Sequence, residues 1–463
     1  MSAPNRSNPG SSATAAERAR FCCPSRCIHG LHVDREQQER SGDPCNSGLP
    51  SGATLRGADC RRPARVRSGL AAAAVEAPTL KLLLGGDLML GRGIDQLMPR
   101  HCEPGLQEAG VRDAHHVVEL AEQRHGPIPA PFGPETAWGE SLAWMEQFQP
   151  QLRLVNLETA ITTSHQAWPG KGAHFRLHPA NTACLQAARI DGCSLANNHS
   201  LDWGFNGLAE TLQVLRLAGI QSAGAGHTPH QAQRPASWEL PQGRRLLLFA
   251  WALTSSGVPQ AWGATPCHPG LALLTRIDSA TVRWLVRSIQ RRRRNGDIVV
   301  VSLHWGANWV PVIPEQHRWL ARQLIELAGV DVVFGHSAHH PLPMEIHQGR
   351  LILYGCGDLM NDYEGLPAHA PWRSDLVCLY GVELERSSGA LHALELQPFV
   401  LRGFQLHQAS TADRQLLEHQ LSLEIAAEGW RWRTNGSGWR LERERSRTAA
   451  NQNAHPASRL AHP

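Results

Sequence analysis

The sequence predicts an α/β fold, and three observations predict it. Short apolar runs alternate with amphipathic helical stretches through the middle of the chain. Five of those runs end on a side chain that binds metal or moves protons: Asp87, Glu158, the Asn197-Asn198-His199 trio, His304, and His336 with His339. Carboxyl ends of strands are where α/β sheets carry their sites. Beyond residue 340 the alternation gives way to strand-like runs at hairpin spacing, so antiparallel strands are expected to finish the same domain.

Taken in order, residues 1–76 are rich in Ser, Pro, Gly and Arg and read as a disordered, low-complexity tail. Order is expected to begin with TLKLLLGG from Thr79, a buried-strand run closed by glycines. Further strands are predicted at 152–158, 192–196, 220–223, 245–252, 297–303 and 330–334. Between them, 205–218 places Leu208, Leu212, Leu215 and Ala218 on one helical face, with Gly219 as the stop. Stretches 279–291 and 315–328 behave similarly, the latter opened by Pro314 and closed by Gly329. The runs 343–347 and 350–354 flank Gln348-Gly349 as a hairpin, and 375–384 and 391–400 are two more strands. One domain is therefore expected over 77–405. A helical extension, with its helix at 412–428, is expected over 406–442, and a second disordered tail over 443–463.

Composition removes several function classes. The 463 residues can bury a sizeable core, and a formal charge of +4 is too small at that length to argue for nucleic-acid binding. No run of ~18 apolar residues exists to span a membrane. Arginine carries nearly all positive charge, Lys81 and Lys171 being the two lysines; Arg291 to Arg294 read as a solvated helix end of favourable dipole sign. Cys22, Cys23, Cys27, Cys45 and Cys60 lie in the first tail. The remaining cysteines are scattered without repeated CxxC spacing, as expected of buried thiols in a reducing compartment. The chain as written is therefore expected in the cytoplasm. Residues 61–78 resemble a basic-then-apolar leader, so a downstream start would make export the expectation.

The motifs differ in specificity. Gly85-Gly86-Asp87 permits a tight turn and close backbone approach. The stretch Asn197-Asn198-His199-Ser200-Leu201-Asp202 packs two amides, an imidazole and a carboxylate together, which cannot all be buried without partners. A metal ligand, a proton carrier and an orienting carboxylate would use them; Asp202 could instead cap the following helix. Gly335-His336-Ser337-Ala338-His339-His340 clusters three imidazoles after a buried strand, and neutral imidazole is the commonest metal ligand. His339 and His340 compete for one role, since neighbours leave a strand end in opposite directions. Asp358 and Asp362 end a later strand and could orient the histidines or hold substrate.

GDLMLGR (86–92), NLET, LANNHSLDWG, GAG (224–226), HWG, GHSAHH and YGCGDLMNDYEG occur in that order. Through them the chain resembles the CapA (poly-gamma-glutamate capsule biosynthesis protein) family of the calcineurin-like metallophosphatase superfamily, over about residues 79–404. The resemblance implies a sandwich of two mixed β-sheets flanked by helices, with metal held at their carboxyl edge. It implies Asp87, Glu158, Asn198, His304, His336 and His339 as ligands of one or two divalent ions, Mn, Fe or Zn. Met89 stands where the superfamily has a partner histidine, Glu158 where it has a bridging aspartate, and His339 lies three residues past His336 rather than two. His199, held by Asp202, would then protonate a leaving group, and Arg92 would clamp an anionic group of the substrate.

The expected function is thus a metal-dependent hydrolase in which the ion acidifies a water. Its substrate is an anionic small molecule or polymer, a phosphoester or a gamma-glutamyl chain, with no nucleic acid and no transmembrane segment involved. The alternative is a non-catalytic accessory protein that binds poly-gamma-glutamate during synthesis or export. The sequence specifies no oligomeric state.

Overall fold

The computed structural model describes residues 78–108, 110–366, 371–421 and 429–444. The first expected tail with its cysteines, and residues 445–463 of the second, lie outside the described residues; Arg443, expected in that tail, ends a strand. Among the described residues no helix is long and apolar enough to cross a membrane.

The first sheet starts with β1 (Thr79–Leu88), β2 (Leu152–Leu157), β3 (Gly192–Ser194) and β4 (Gln221–Ala223), with helix α1 (Gly204–Leu217) between the last two. These four strands lie side by side in that order and run parallel, as strands linked by helical crossovers do. The chain then builds a second sheet from β5 (Ala236–Glu239), β6 (Arg245–Leu253), β7 (Leu273–Leu274), β8 (Ile298–His304), β9 (Val332–His336), β10 (Met344–His347) and β11 (Arg350–Leu353). Its spatial order is β7-β6-β8-β9-β11-β10, with β5 on β6. Helices α2 (Ser279–Gln290) and α3 (Glu315–Ala328) carry the crossovers into β8 and β9. β10 and β11 form the expected hairpin, pairing His347 with Arg350 across Gln348 and Gly349, both at positive φ.

The chain finally returns to the first sheet. β12 (Asp358–Met360) and β13 (Leu376–Glu385) pair with β1, one parallel and one antiparallel, and β14 (Leu391–Arg402) and β15 (Gln405–Gln408) follow. The segment expected to be a helical extension is only partly helical. After α4 (Thr411–Leu421) come β16 (Trp430–Asn435) and β17 (Gly438–Arg443), and β17 pairs antiparallel with β14. The extension therefore enlarges the first sheet, because Trp439 and Leu441 find buried positions there.

Both sheets are mixed and carry helices, as the resemblance implied. Strand parity organises the core. Ile298, Val300, Val332 and Phe334 belong to the apolar cluster shared with the first sheet, whereas Val299, Val301, Leu303 and Val333 pack with Leu285 of α2 and Leu320 of α3. Covered on both faces, β8 and β9 read as continuous apolar runs.

Candidate metal centre

The same parity positions the first two histidines. His304 continues the face of Ile298 and Val300, His336 that of Val332 and Phe334, and the two are direct neighbours in the parallel ladder. Both point between the sheets and are fully buried. From the opposite sheet comes Asp87, the last residue but one of β1, whose Cα is in register with Asn156 of β2 and Asp358 of β12. Gly86 is required here: a Cβ would lie 1.8 Å from the Gly357 carbonyl oxygen. That close approach lets the Asp87 amide donate to Gly357 O at 2.9 Å and fixes the carboxylate.

Across the gap, His336 Nδ1 lies 3.3 Å and His339 Nδ1 3.7 Å from the Asp87 carboxylate. Glu158 Oε1 is 3.9 Å from His199 Nε2 and from His304 Nε2. Asn198 Oδ1 lies 3.0 Å from His304 Nε2. Asp87, Glu158 and His339 each bring one ligand atom within 4.8 Å of the others. The six residues expected to bind metal are thus gathered from separate strand ends of two sheets. His340 is turned away: its nitrogens lie against the carbonyls of Pro341 and Val310, and its ring stacks on Trp372 at 3.8 Å. Asp358, 2.8 Å from His339 Nδ1, explains which of the adjacent histidines faces inward.

The donor set fits a divalent cation. Glu158 Oε1 and both ring nitrogens of His336 are buried with no hydrogen-bond partner. Unpaired buried polar atoms cost about 1–3 kcal/mol each, and several in one place call for an explanation. Carboxylate oxygen, amide oxygen and imidazole nitrogen together suit Zn, Fe or Mn. The carboxyl groups are electrostatically split. Burial pushes Asp87 up, but His336, with His304 and His339, outweighs it and holds the group well below the usual carboxylate range. Glu158 is raised well above its ordinary value by burial and by the Asp87 and Asp358 charges. Burial depresses His304 to about 3, keeping it neutral and able to ligate. His339 is raised, because Asp358 and Asp87 outweigh its burial.

Beside this cluster lies a second arrangement. His199 Nδ1 is 2.6 Å from Asp202 Oδ2, which also accepts the Phe175 amide at 2.7 Å. Asp202 therefore does not cap α1, whose N-terminal position Trp203 makes no side-chain cap. Lys171 donates to the other Asp202 oxygen and to the Asn198 carbonyl, and its Nζ lies 4.9 Å over the Trp262 ring. Burial lowers His199 to about 4 against the pull of Asp202.

Arg92 departs from expectation. Its guanidinium forks onto Asp362 at 3.0 and 2.5 Å and reaches Glu108 at 2.8 Å. It is buried over the Phe175 ring at 4.6 Å. Its bonds join the segments that carry Glu108 and Asp362, so two carboxylates already occupy the guanidinium expected to clamp substrate. Met89 accepts from the Tyr363 hydroxyl at 3.2 Å, so the missing histidine's position is filled by a packed thioether. Two residues went unassigned in the sequence. Asn156 donates to Asp87 at 2.8 Å and to Glu158 at 3.3 Å, while Asn197 holds its amide oxygen at 3.1 Å. The other is Lys171. The signals were faint: Asn156 stands two residues before Glu158, and Lys171 is one of two lysines.

Fold and site together define a two-sheet α/β protein with a buried carboxylate–histidine centre at its strand ends. The chain belongs to the bacterial capsule synthesis protein family PGA_cap, which it matches over residues 81–363. It is 42% identical over 341 residues, 73% of this chain and 90% of the relative, to the probable polyglutamine synthesis accessory protein of Mycobacterium tuberculosis. It is 26% identical over 208 residues to the PGA biosynthesis protein CapA of Bacillus subtilis, covering 45% of this chain and 52% of that one. Among solved structures, a phosphatase from Mycoplasma pneumoniae aligns with a TM-score of 0.41 at 13% identity, over 74% of this chain and 99% of that chain.

Proposed function

We propose that this chain is a metal-dependent hydrolase of an anionic substrate, either a phosphoester or a gamma-glutamyl polymer of capsule synthesis. The observation that carries this reading is the donor set around Asp87: Glu158 Oε1 and His336 Nε2 are buried without a hydrogen bond, and His336 Nδ1 faces Asp87 Oδ1 at 3.3 Å without making one. Asp87, Glu158, Asn198, His304, His336 and His339 would hold one or two divalent ions. Such an ion supplies Lewis acidity and makes a water acidic enough to attack at neutral pH. Asn156 keeps Asp87 and Glu158 oriented through its amide, and Asp358 holds the His339 ring. His199, anchored at Nδ1 by Asp202, offers Nε2 as the point where a proton is taken up and passed on. Because burial keeps its imidazole neutral, Nε2 enters as an acceptor and must first gain a proton before acting as the expected acid. One relative is named for polyglutamine synthesis and the other for PGA biosynthesis, which favours a polymer over a small phosphoester as substrate.

The test pairs metal analysis with turnover of bis(p-nitrophenyl) phosphate. Wild type should co-purify with, or bind, a stoichiometric transition metal and cleave the diester. His304→Ala and His336→Ala should lose both. Unchanged metal content and rate in both variants would sink the reading.

A further inference from the structure

On the flank of the molecule where β4 ends the first sheet and β5 lies beside it, the surface forms a groove of about 1230 Å³. One wall is the outer face of α1, where Asn206, Glu210, Gln213 and Arg216 recur at helical spacing. The opposite face of that helix, with Leu208 and Leu215, is buried in the core. The floor is rigid: the Gln221 side chain both donates to and accepts from the Ser237 backbone, at 2.7 and 3.1 Å, tying β4 to β5. Arg234, Arg245 and Arg292 enter from other elements, so four guanidinium groups surround one concavity.

Their charge is incompletely matched. Arg245 pairs with Asp297 at 2.5 Å. The groove's own carboxylate, Glu210, is occupied by the Thr162 hydroxyl and the Thr163 amide at 2.5 and 3.0 Å. Arg216 and Arg234, both exposed, have no acidic partner among the described residues. Gathering guanidinium groups around a concavity raises the local potential for anions. The lining contains no Phe, Tyr or Trp, its only rings besides Pro235 being the imidazoles of His227 and His230. Single-stranded nucleic acid is held by stacking bases on large aromatic rings, so the chemistry favours an anion without bases. Size argues for a chain over a monomer: Asn206 to Arg216 spans about 15 Å of helix, the length of about four extended residues.

We infer that this groove is a binding site for an extended polycarboxylate chain, with Arg216 and Arg234 as its carboxylate-recognising forks. The site is built from residues outside the metal centre and does not depend on hydrolysis, so it stands whether or not the proposed chemistry holds. A chain seated there would run along α1, whose first turn directly follows the Asp202 segment.

The experiment measures fluorescence anisotropy of labelled poly-gamma-glutamate with the full chain. Glutamate monomer and single-stranded polyadenylate serve as competitors. Wild type should bind the polymer with affinity that falls as salt rises, and neither competitor should displace it. The Arg216→Glu/Arg234→Glu double variant should bind roughly tenfold or more weakly, each fork being a charge-assisted contact. Arg431→Glu/Arg433→Glu, the same charge change on β16, should leave binding intact. Chelator and His304→Ala should also leave it intact, which separates this inference from the metal-centre reading. Equal binding by wild type and a folded double variant, or displacement by polyadenylate, overturns the inference. So does loss of binding on chelation.

Discussion

Lys171 shows what one side chain can decide. Its ammonium joins the Asn198 carbonyl to Asp202, and Asp202 in turn fixes His199. Removing that charge while keeping the stem, as in Lys171→Met, frees the carboxylate to turn away and the imidazole to lose its orientation. The expected result is a fall in kcat of roughly tenfold or more on the diester, within the range of proton-transfer contributions, with metal content unchanged. Lys171→Arg should restore part of it, because a guanidinium can still bridge both oxygens. A drop in metal occupancy, or a change confined to KM, would show that Lys171 holds the ligands or the substrate instead. At this scale the sequence was only partly readable. Asp87, His304 and His336 announced themselves as polar ends of apolar strands. Lys171 lies in a loop of no periodicity, and for Arg92 the choice between a substrate clamp and an ion pair stayed open because Asp362, 270 residues away, gave no sign of meeting it.

Elements were far more legible, since periodicity is local. The continuous apolar runs of β8 and β9, the spaced leucines of α1 and the Gln348-Gly349 turn each carry their conformation in adjacent residues. What adjacent residues do not carry is a close approach between distant segments. Gly86 is the sharpest case: Gly86→Ala would drive a methyl into the Gly357 carbonyl, 1.8 Å from its Cβ position. Chemical denaturation should show a loss of about 3 kcal/mol or more, at the upper end of overpacking costs. His317 on α3 gives a second prediction. Its ring stacks on Trp305 at 4.3 Å, and burial lowers it to about 4. Between pH 6.5 and 4 the unfolded chain therefore binds a proton that the folded chain refuses, so stability from this group is complete above its ordinary value and lost as pH falls. The contribution is on the order of 2 to 3 kcal/mol. The melting temperature of His317→Phe, which keeps the stacked ring, should fall less steeply than that of wild type over this range. Parallel curves would show that His317 does not titrate as described.

At the scale of the whole molecule, the first sheet is completed by its C-terminal hairpin. β17 aligns Trp439 with Leu396 and Leu441 with Leu394 of β14, and Arg440 bridges Glu383 and Glu395 at 2.8 and 2.6 Å. The alternation Trp430-Arg431-Trp432-Arg433 and the Asn435-Gly436 turn were visible in the sequence. The helical stretch before them masks that signal, because nothing local shows that β17 finds its partner in β14. Without a paired β17, β14 would present its backbone groups along an open edge, a template for another chain. Burying Trp439 and Leu441 stabilises the sheet by roughly 4 kcal/mol, at about 2 kcal/mol for each large side chain. The Trp439→Ala/Leu441→Ala double variant should therefore lose about that much unfolding free energy, read as a lower denaturant midpoint, and self-associate in sedimentation velocity. Its metal content should stay at the wild-type level, because β13 and β14 stand between the hairpin and β1, where Asp87 sits. An unchanged unfolding midpoint would mean that the hairpin is an appendage; loss of metal with intact stability would mean that the sheet transmits its edge to the centre.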